Sequence, residues 1–171
     1  MYKYAPIRKD SVVLDIGTGT GFLAIDAVLH GASYVEALDN DSRAVECARN
    51  NVRINTSGRK IAVFQSDLFE KVIPGKRFDL IYSNLPYLDR NEDYGFPSLF
   101  DPGFKSHETF FKKAPEHLRD GGSIRMSHAN LDKDGFEKLE KLAYDSELNF
   151  RILNSLIFEN YDWRLYELFP R

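Results

Sequence analysis

Short apolar runs alternate with segments of helical periodicity along most of this chain. Each run of strand length precedes a stretch in which apolar residues recur every three or four positions, which is typical of βα units and a mostly parallel sheet. The pattern predicts an α/β fold whose last two strands form a hairpin through Glu159-Asn160. The predicted strands cover residues 12–16, 34–39, 61–66, 78–83, 122–128, 149–156 and 162–169, and the predicted helices cover 20–30, 41–54, 106–119 and 132–146.

Polar residues, proline and glycine predict where these helices begin and end. Thr20 is expected to cap the first helix, and Asn40 or Asp41 the second. Pro115 is expected to kink the third helix or to restart it as a new first turn, and Gly121-Gly122 is expected to end it. The buried stripe of the second helix is expected to comprise Ala44, Val45, Ala48 and Val52.

A glycine-rich turn follows the first predicted strand. Val12-Val13-Leu14-Asp15-Ile16 leads into Gly17-Thr18-Gly19-Thr20-Gly21, so that an acid and three alternating glycines precede a helix. Glycines let the backbone turn sharply and approach a ligand closely, and Asp15 can accept hydrogen bonds from it. Two alternatives stay open, a βα turn without a ligand and a dinucleotide site. The dinucleotide fingerprint G-x-G-x-x-G would need glycine where Phe22 stands.

A second motif, Asn84-Leu85-Pro86-Tyr87, follows the fourth predicted strand. The Asn84 amide oxygen, the Pro86 carbonyl and the Tyr87 ring supply two acceptors and a flat surface within a few residues. These parts suit a planar NH2 group whose nitrogen lone pair points at an electrophilic methyl group. A plain turn after a strand is the structural alternative.

An acid stands at the end of the second predicted strand, in Glu36-Ala37-Leu38-Asp39-Asn40. Asp39 lies 22 positions after Gly17, close to the spacing at which a carboxylate binds ribose hydroxyls in nucleotide-binding βαβ units. Asp39, with Asn40 beside it, is therefore predicted to bind ribose. Capping of the second helix is the alternative role for both residues.

The order and spacing of these motifs resemble the seven-stranded (class I) S-adenosylmethionine-dependent methyltransferases. The D-x-G-x-G-x-G turn resembles their cofactor site, and Asn84-Leu85-Pro86-Tyr87 resembles the (N/D)-P-P-(Y/F) motif of amino-methyltransferases, with Leu85 in place of the first proline. The surrounding chain is most similar to the release-factor glutamine methyltransferases (HemK-like), while the N-L-P-Y form itself is closest to rRNA adenine dimethyltransferases.

The resemblance implies a fold, a cofactor and a reaction. The fold is a seven-stranded, mostly parallel Rossmann-like sheet with helices on both faces and an antiparallel last strand. The cofactor is S-adenosylmethionine, and Asp67 and Leu68 match the family's adenine-contacting segment. The catalytic residues are Asn84, Pro86 and Tyr87, and the predicted cofactor-binding set is Asp15, Gly17, Thr18, Gly19, Gly21, Asp39, Asn40, Asp67, Leu68 and Asn84.

The substrate is the open part of this interpretation. A protein glutamine side chain, as in a release factor, is the leading expectation, followed by an RNA nucleobase and then a small molecule. A cofactor-binding interaction module without transferase activity is the alternative of a different class. Related enzymes carry an added helical domain, whereas the glycine motif here begins at Val12. We therefore expect a single catalytic domain over 1–171, which is either nearly bare, truncated, or reliant on a partner subunit for substrate recognition.

Composition narrows the function further. The 171 residues include one cysteine, Cys47, and four histidines without metal-ligand spacing, so no disulfide within the chain and no metal site is expected. A net charge of −3 and a pI near 5.8 argue weakly against binding long nucleic acids. No apolar stretch has the length of a membrane span, no signal peptide is apparent, and a cytoplasmic protein is expected.

Residues 88–105 form a predicted long loop after the fourth strand. Loops of this length in compact domains are usually functional, and its charges are mostly acidic, which disfavours RNA. His107, just after the loop, is expected either to line the substrate side or to belong to the core. His128, at the end of the fifth strand, is expected to be a structural histidine.

Overall fold

The computed structural model describes residues 6–56, 59–91 and 97–171, which contain seven strands and four α-helices. The strands are β1 (Val12–Ile16), β2 (Tyr34–Asp39), β3 (Ile61–Gln65), β4 (Phe78–Ser83), β5 (Leu118–Ala129), β6 (Leu148–Phe158) and β7 (Tyr161–Pro170). The helices are α1 (Phe22–Leu29), α2 (Ser42–Asn55), α3 (Lys105–Lys113) and α4 (Gly135–Asp145), and 3-10 turns cover Pro97–Leu99, Pro102–Phe104 and Ala114–His117.

All seven strands belong to one sheet with the order β3-β2-β1-β4-β5-β7-β6. Strands β1 to β5 pair in parallel, whereas β7 lies antiparallel between β5 and β6. The predicted fold, including the antiparallel last strand, is confirmed. The strand order reverses between β1 and β4, and open α/β sheets bind ligands at the carboxyl ends of strands at such a switch point.

The sheet separates two hydrophobic cores because successive strand residues face opposite sides. On β1, Val13 packs with the small and branched residues of α1 and α2. Its neighbours Leu14 and Ile16 pack on the other side with α3 and α4, where Phe110 and Phe111 are fully buried. Burial on both faces explains why β1 and β4 are almost continuously apolar.

The first two helices begin differently from each other. Asp41 caps α2, since its carboxylate accepts from the Arg43 amide at 2.8 Å, which confirms one predicted cap. The predicted Thr20 cap of α1 is wrong: Gly21 occupies the cap position in a left-handed conformation, with no side-chain hydrogen bond. In the predicted stripe of α2, Val45, Ala48 and Val52 are buried and Ala44 is half-buried.

The third helix ends earlier than predicted. It stops at Lys113, and Pro115 lies in the first turn of the 3-10 segment, which confirms the predicted restart. Gly121-Gly122 does not end a helix, because both residues lie inside β5. A Cβ on Gly122 would lie 3.0 Å from the Phe78 carbonyl oxygen, where the register of β4 and β5 shifts, so these glycines serve a bulge.

The two remaining connections also follow local backbone rules. Glu159 and Asn160 both have positive φ values, 49° and 72°, as a two-residue hairpin turn of the primed type requires, and the predicted hairpin is confirmed. In the 88–105 loop, Glu92 to Phe96 lie outside the described residues. Its two sides are joined, because the Leu88 amide donates to the Leu99 carbonyl at 2.9 Å and the Leu88 carbonyl accepts from the Asp101 amide at 2.8 Å.

Within the described ranges, no helix is both long and apolar enough to cross a bilayer.

Candidate active site

A cavity of about 340 Å³ opens at the carboxyl ends of β1, β2 and β4, where the strand order reverses. The segments that follow these strands and β3 line it. Nine predicted site residues share this wall: Gly17, Gly19, Asp39, Asn40, Asp67, Leu68, Asn84, Pro86 and Tyr87. The wall also includes Ser66, Ser98, Leu99 and Ser106, which sequence reasoning missed.

The glycine turn has the backbone geometry that its sequence predicts. Gly17, Gly19 and Gly21 all have positive φ, between 56° and 79°. A Cβ on Gly19 would meet no atom within 4 Å, so the space beside this glycine is open to the cavity. The amides of Gly17 and Thr18 both donate to the Leu38 carbonyl at 2.9 Å, which ties the turn to the end of β2.

Asp39 joins the glycine turn to the start of α2. One carboxylate oxygen accepts from the Gly19 amide at 2.9 Å, and the other accepts from the Asp41 amide at 3.0 Å. A carboxylate has about four lone-pair sites, so Asp39 retains acceptor capacity toward the cavity. The alternative role, capping of the second helix, belongs to Asp41 instead.

Three of the predicted cofactor residues are not on the cavity wall. Asp15 is 1% exposed, and its carboxylate accepts from the Thr18 hydroxyl at 2.7 Å. Burial raises the pKa of Asp15 to about 7. Gly21 packs against α2, where a Cβ would lie 3.2 Å from that of Ala48. Asp15, Thr18 and Gly21 therefore shape the turn from within the protein.

The segment after β3 forms another part of the wall. Leu68 has φ of 42°, an unusual value for a residue other than glycine. Ser66 stabilises this conformation, because its hydroxyl donates to the Leu68 carbonyl and accepts from the Lys71 amide, both at 3.0 Å. Asp67 and Leu68 also border a neighbouring cavity of about 610 Å³ beside α3, which does not include the glycine turn.

Asn84 projects from the end of β4 and is held by hydroxyl groups. Its amide oxygen accepts from the Tyr87 hydroxyl and from the Ser127 hydroxyl on β5. Burial raises the pKa of Tyr87, so its hydroxyl remains protonated and can donate. Leu85, which replaces the first proline of the motif, is 4% exposed and anchors the turn in the core.

The Tyr87 ring is less free than the motif suggests. It is 8% exposed and packs edge-on against Trp163, with ring centroids 5.2 Å apart, and against His128 at 5.7 Å. Part of Tyr87 still lines the cavity. The sheet therefore fixes the orientation of this ring before any substrate arrives.

The two histidines near the site are buried behind its wall. The Nδ1 atom of His107 lies within hydrogen-bond distance of an Asp101 carboxylate oxygen, at 2.7 Å, and the ring stacks on Phe104. Burial acts to raise the pKa of Asp101, but hydrogen bonds from His107 and from two backbone amides outweigh it and hold that pKa below its ordinary value. His128 has no hydrogen-bond partner among the described residues, and burial, with His107 nearby, lowers its pKa to about 3. This departs from the expectation of a satisfied structural histidine.

The charges around the cavity are sparse and acidic. Among the described residues on its wall, only Asp39 and Asp67 carry charge, and no lysine or arginine lies there. In the adjoining loop, Asp89 pairs with Lys138 at 2.8 Å and Arg90 pairs with Asp132 at 3.1 Å. The described part of the chain holds no group of three metal-ligating side chains. The wall is thus suited to a neutral polar substrate group beside a cationic cofactor.

Comparison with known proteins shows the family: the chain belongs to the methyltransferase small domain family, with residues 3–147 matched. It is 35% identical over 153 residues to a protein of Methanocaldococcus jannaschii assigned as a protein N5-glutamine methyltransferase, covering 84% of this chain and 76% of that protein. It is 33% identical to the release factor glutamine methyltransferase of Shewanella oneidensis over 80% of this chain, but spans only 49% of that enzyme.

A solved structure shares the fold. The Mtq2–Trm112 complex of E. cuniculi, responsible for methylation of the eRF1 translation termination factor, superposes with a TM-score of 0.70 at 16% identity, covering 96% of this chain and 87% of that one. The chain is therefore an S-adenosylmethionine-dependent methyltransferase. The family match favours an enzyme over a binding module and a methyltransferase over a dinucleotide-dependent enzyme.

Proposed function

We propose that this enzyme methylates the side-chain amide nitrogen of a glutamine in a translation release factor. The observation that carries the proposal is that Asn84 and the Pro86 turn share one cavity with the glycine turn, and that the described residues of its wall include no lysine or arginine. A neutral amide fits such a wall better than a phosphate-bearing RNA, which calls for cationic contacts. The names of the two relatives support the same substrate.

The cavity residues fit S-adenosylmethionine by their chemistry. The open space at Gly19 lets a ligand approach the backbone, and the remaining lone pairs of Asp39 suit ribose hydroxyls. Asp67 offers an acceptor for the exocyclic amine of adenine, and Leu68 offers apolar contact and a backbone amide. When bound, the cofactor supplies a methyl group made electrophilic by its sulfonium.

The residues of the chain contribute mainly by positioning. The Asn84 amide oxygen and the Pro86 carbonyl are acceptors that can orient the two hydrogens of an amide NH2 and so direct its nitrogen into the cavity. Holding two reactants in line converts a bimolecular step into an effectively unimolecular one. Among the described residues on the wall, no histidine is available as a base. Hydrogen bonds from the N–H groups to Asn84 and Pro86 strengthen as the nitrogen gains positive charge and so supply the stabilisation, and the surplus N–H proton is then released to solvent.

Asn84→Ala tests this proposal directly. We expect the rate of methyl transfer to the organism's own release factor to fall by about 100-fold or more, because the transition state loses about 3 kcal/mol of stabilisation from substrate orientation. Intact-mass measurement and peptide sequencing of the modified glutamine follow the transfer. Cofactor affinity, measured by calorimetry, should change by less than about threefold, because the Asn84 amide is proposed to orient the substrate nitrogen and not to hold the sulfonium.

The matched control is Asn50→Ala, an exposed asparagine on α2. It should leave transfer unchanged. Full activity of Asn84→Ala would overturn the proposed substrate. So would transfer of a labelled methyl group from S-adenosylmethionine to RNA and not to the release factor. Because the E. cuniculi protein is solved with a partner, the assay is run on the chain alone and with any subunit that copurifies in its native host.

A further inference from the structure

Ser127 lies 43 residues from Asn84 in the sequence, yet the sheet brings the two side chains together. Strands β4 and β5 pair in parallel with Ser83 opposite Met126, so the next residue of each strand extends to the same edge. There the Ser127 hydroxyl donates to the Asn84 amide oxygen. Ser127 is half-buried on a strand that β7 pairs on its other side, with Leu165 opposite, so its backbone position is fixed.

The same amide oxygen also accepts from the Tyr87 hydroxyl. An amide oxygen carries two lone pairs, so these two hydroxyls occupy both of its acceptor positions. A hydroxyl can rotate its hydrogen toward another acceptor, whereas a backbone amide cannot. One of the two hydroxyls can therefore yield its place to a substrate N–H while the other continues to hold the Asn84 carboxamide.

We propose that Ser127 is a positioning residue: together with Tyr87 it fixes the plane of the Asn84 carboxamide before the substrate binds, and one of the two hydroxyls continues to hold it afterwards. This inference rests on the proposed role of Asn84. Asn84 itself is exposed at the mouth of the cavity, where few packing contacts can restrain its side chain. Its orientation then depends on hydrogen bonds, and a carboxamide that rotates freely presents the acceptor in the correct plane for only part of the time.

The Ser127 and Tyr87 hydroxyls donate to the same Asn84 oxygen, so their effects should be partly redundant. Removing either hydroxyl, in Ser127→Ala or Tyr87→Phe, should lower kcat by about three- to tenfold, as expected for the loss of one hydrogen bond. Removing both should lower kcat by more than the product of the single effects. KM for the release factor and the affinity for S-adenosylmethionine should each stay within about threefold of wild type, because neither hydroxyl is assigned to binding.

Ser127→Thr and Ser123→Ala separate positioning from structural damage. Ser127→Thr restores the hydroxyl and should recover most of kcat. Ser123→Ala removes a hydroxyl from the same strand, where it contacts Glu167 at 3.4 Å, and should leave kcat unchanged. A second measurement needs no substrate: the side-chain NH2 resonances of Asn84 should shift and gain mobility in the double variant, and not in Ser123→Ala.

The outcomes distinguish this inference from the proposed function. If the double variant keeps kcat within twofold of wild type, or if the Asn84 resonances do not change, Ser127 does not position Asn84, while a large loss in Asn84→Ala would still support the role of Asn84. If Asn84→Ala itself retains full transfer, both the proposed function and this inference are wrong. More-than-multiplicative loss of kcat with recovery in Ser127→Thr supports the inference.

Discussion

Asp39 accepts from two backbone amides that belong to different segments, Gly19 in the glycine turn and Asp41 at the start of α2. A single side chain thereby holds the two parts of the wall that the cofactor would touch. Asp39 also lines the cavity and keeps unused acceptor sites, so the residue combines a structural role with the proposed role in ribose binding.

We expect Asp39→Ala to weaken S-adenosylmethionine binding by roughly 1.5–3 kcal/mol, because ribose hydroxyls would lose a charged acceptor. Calorimetry measures this directly. The control is Asp41→Ala, which removes the cap of α2 and should lower the free energy of unfolding while cofactor affinity stays near wild type. A larger affinity loss in Asp41→Ala than in Asp39→Ala would show that ribose binding is assigned to the wrong acid.

The packing of α1 on α2 sets a separate requirement on the glycine turn. Gly19 and Gly21 share the positive φ that disfavours other residues, but their surroundings differ. Space beside Gly19 is open, whereas Gly21 lies against Ala48 of α2. One glycine therefore leaves room for a ligand, and the other allows two helices to approach.

This difference predicts that the same substitution affects cofactor binding at Gly19 and stability at Gly21. Gly19→Ala should weaken cofactor binding by about tenfold or more, because the added methyl occupies the proposed ligand space. Gly21→Ala should cost about 1 kcal/mol more in unfolding free energy than Gly19→Ala, because Ala48 must shift, and its cofactor affinity should change by less than threefold. Urea unfolding measures the free energy of unfolding of each variant, and calorimetry measures its cofactor affinity. Equal losses of unfolding free energy would contradict the assignment of Gly21 to helix packing.

Across the whole molecule, the buried His128 links stability to pH. His128 is near the end of β5, and its ring is surrounded by the rings of Tyr87, Phe104, His107 and Phe136. Its pKa is about 3 in the folded protein and near 6.5 in the unfolded chain. Between these values the unfolded chain binds a proton that the folded protein does not.

The free energy of unfolding should therefore fall as pH falls from about 6.5 toward 3. His128 contributes up to about 1.4 kcal/mol of this loss per pH unit, and it contributes no loss above pH 7. Urea unfolding of wild type and His128→Leu at several pH values isolates the effect, because contributions from carboxylates cancel in the difference between the two proteins. Parallel stability profiles would show that His128 becomes protonated within the folded protein.

Local sequence was sufficient to predict most of the fold. The runs that form β1 and β4 are apolar because both sides of these strands are buried, and Glu159-Asn160 adopts the positive φ values of a tight hairpin. The predicted boundaries failed where a local signal had two structural uses. Gly121-Gly122 can end a helix or form a bulge, and only the approach of β4 to β5 decides for the bulge.

The candidate site shows the same division. The amino-acid sequence determined which segments meet at the switch point, because Gly17, Asp39, Asp67 and Asn84 all lie at or just after the carboxyl ends of strands that share one edge. Only the tertiary structure decided that Asp15 and Gly21 are not on the cavity wall, and that Ser127 meets Asn84 from 43 residues away. The physical reason is that burial and hydrogen-bond partners depend on strand register and packing between distant segments, which no local pattern specifies.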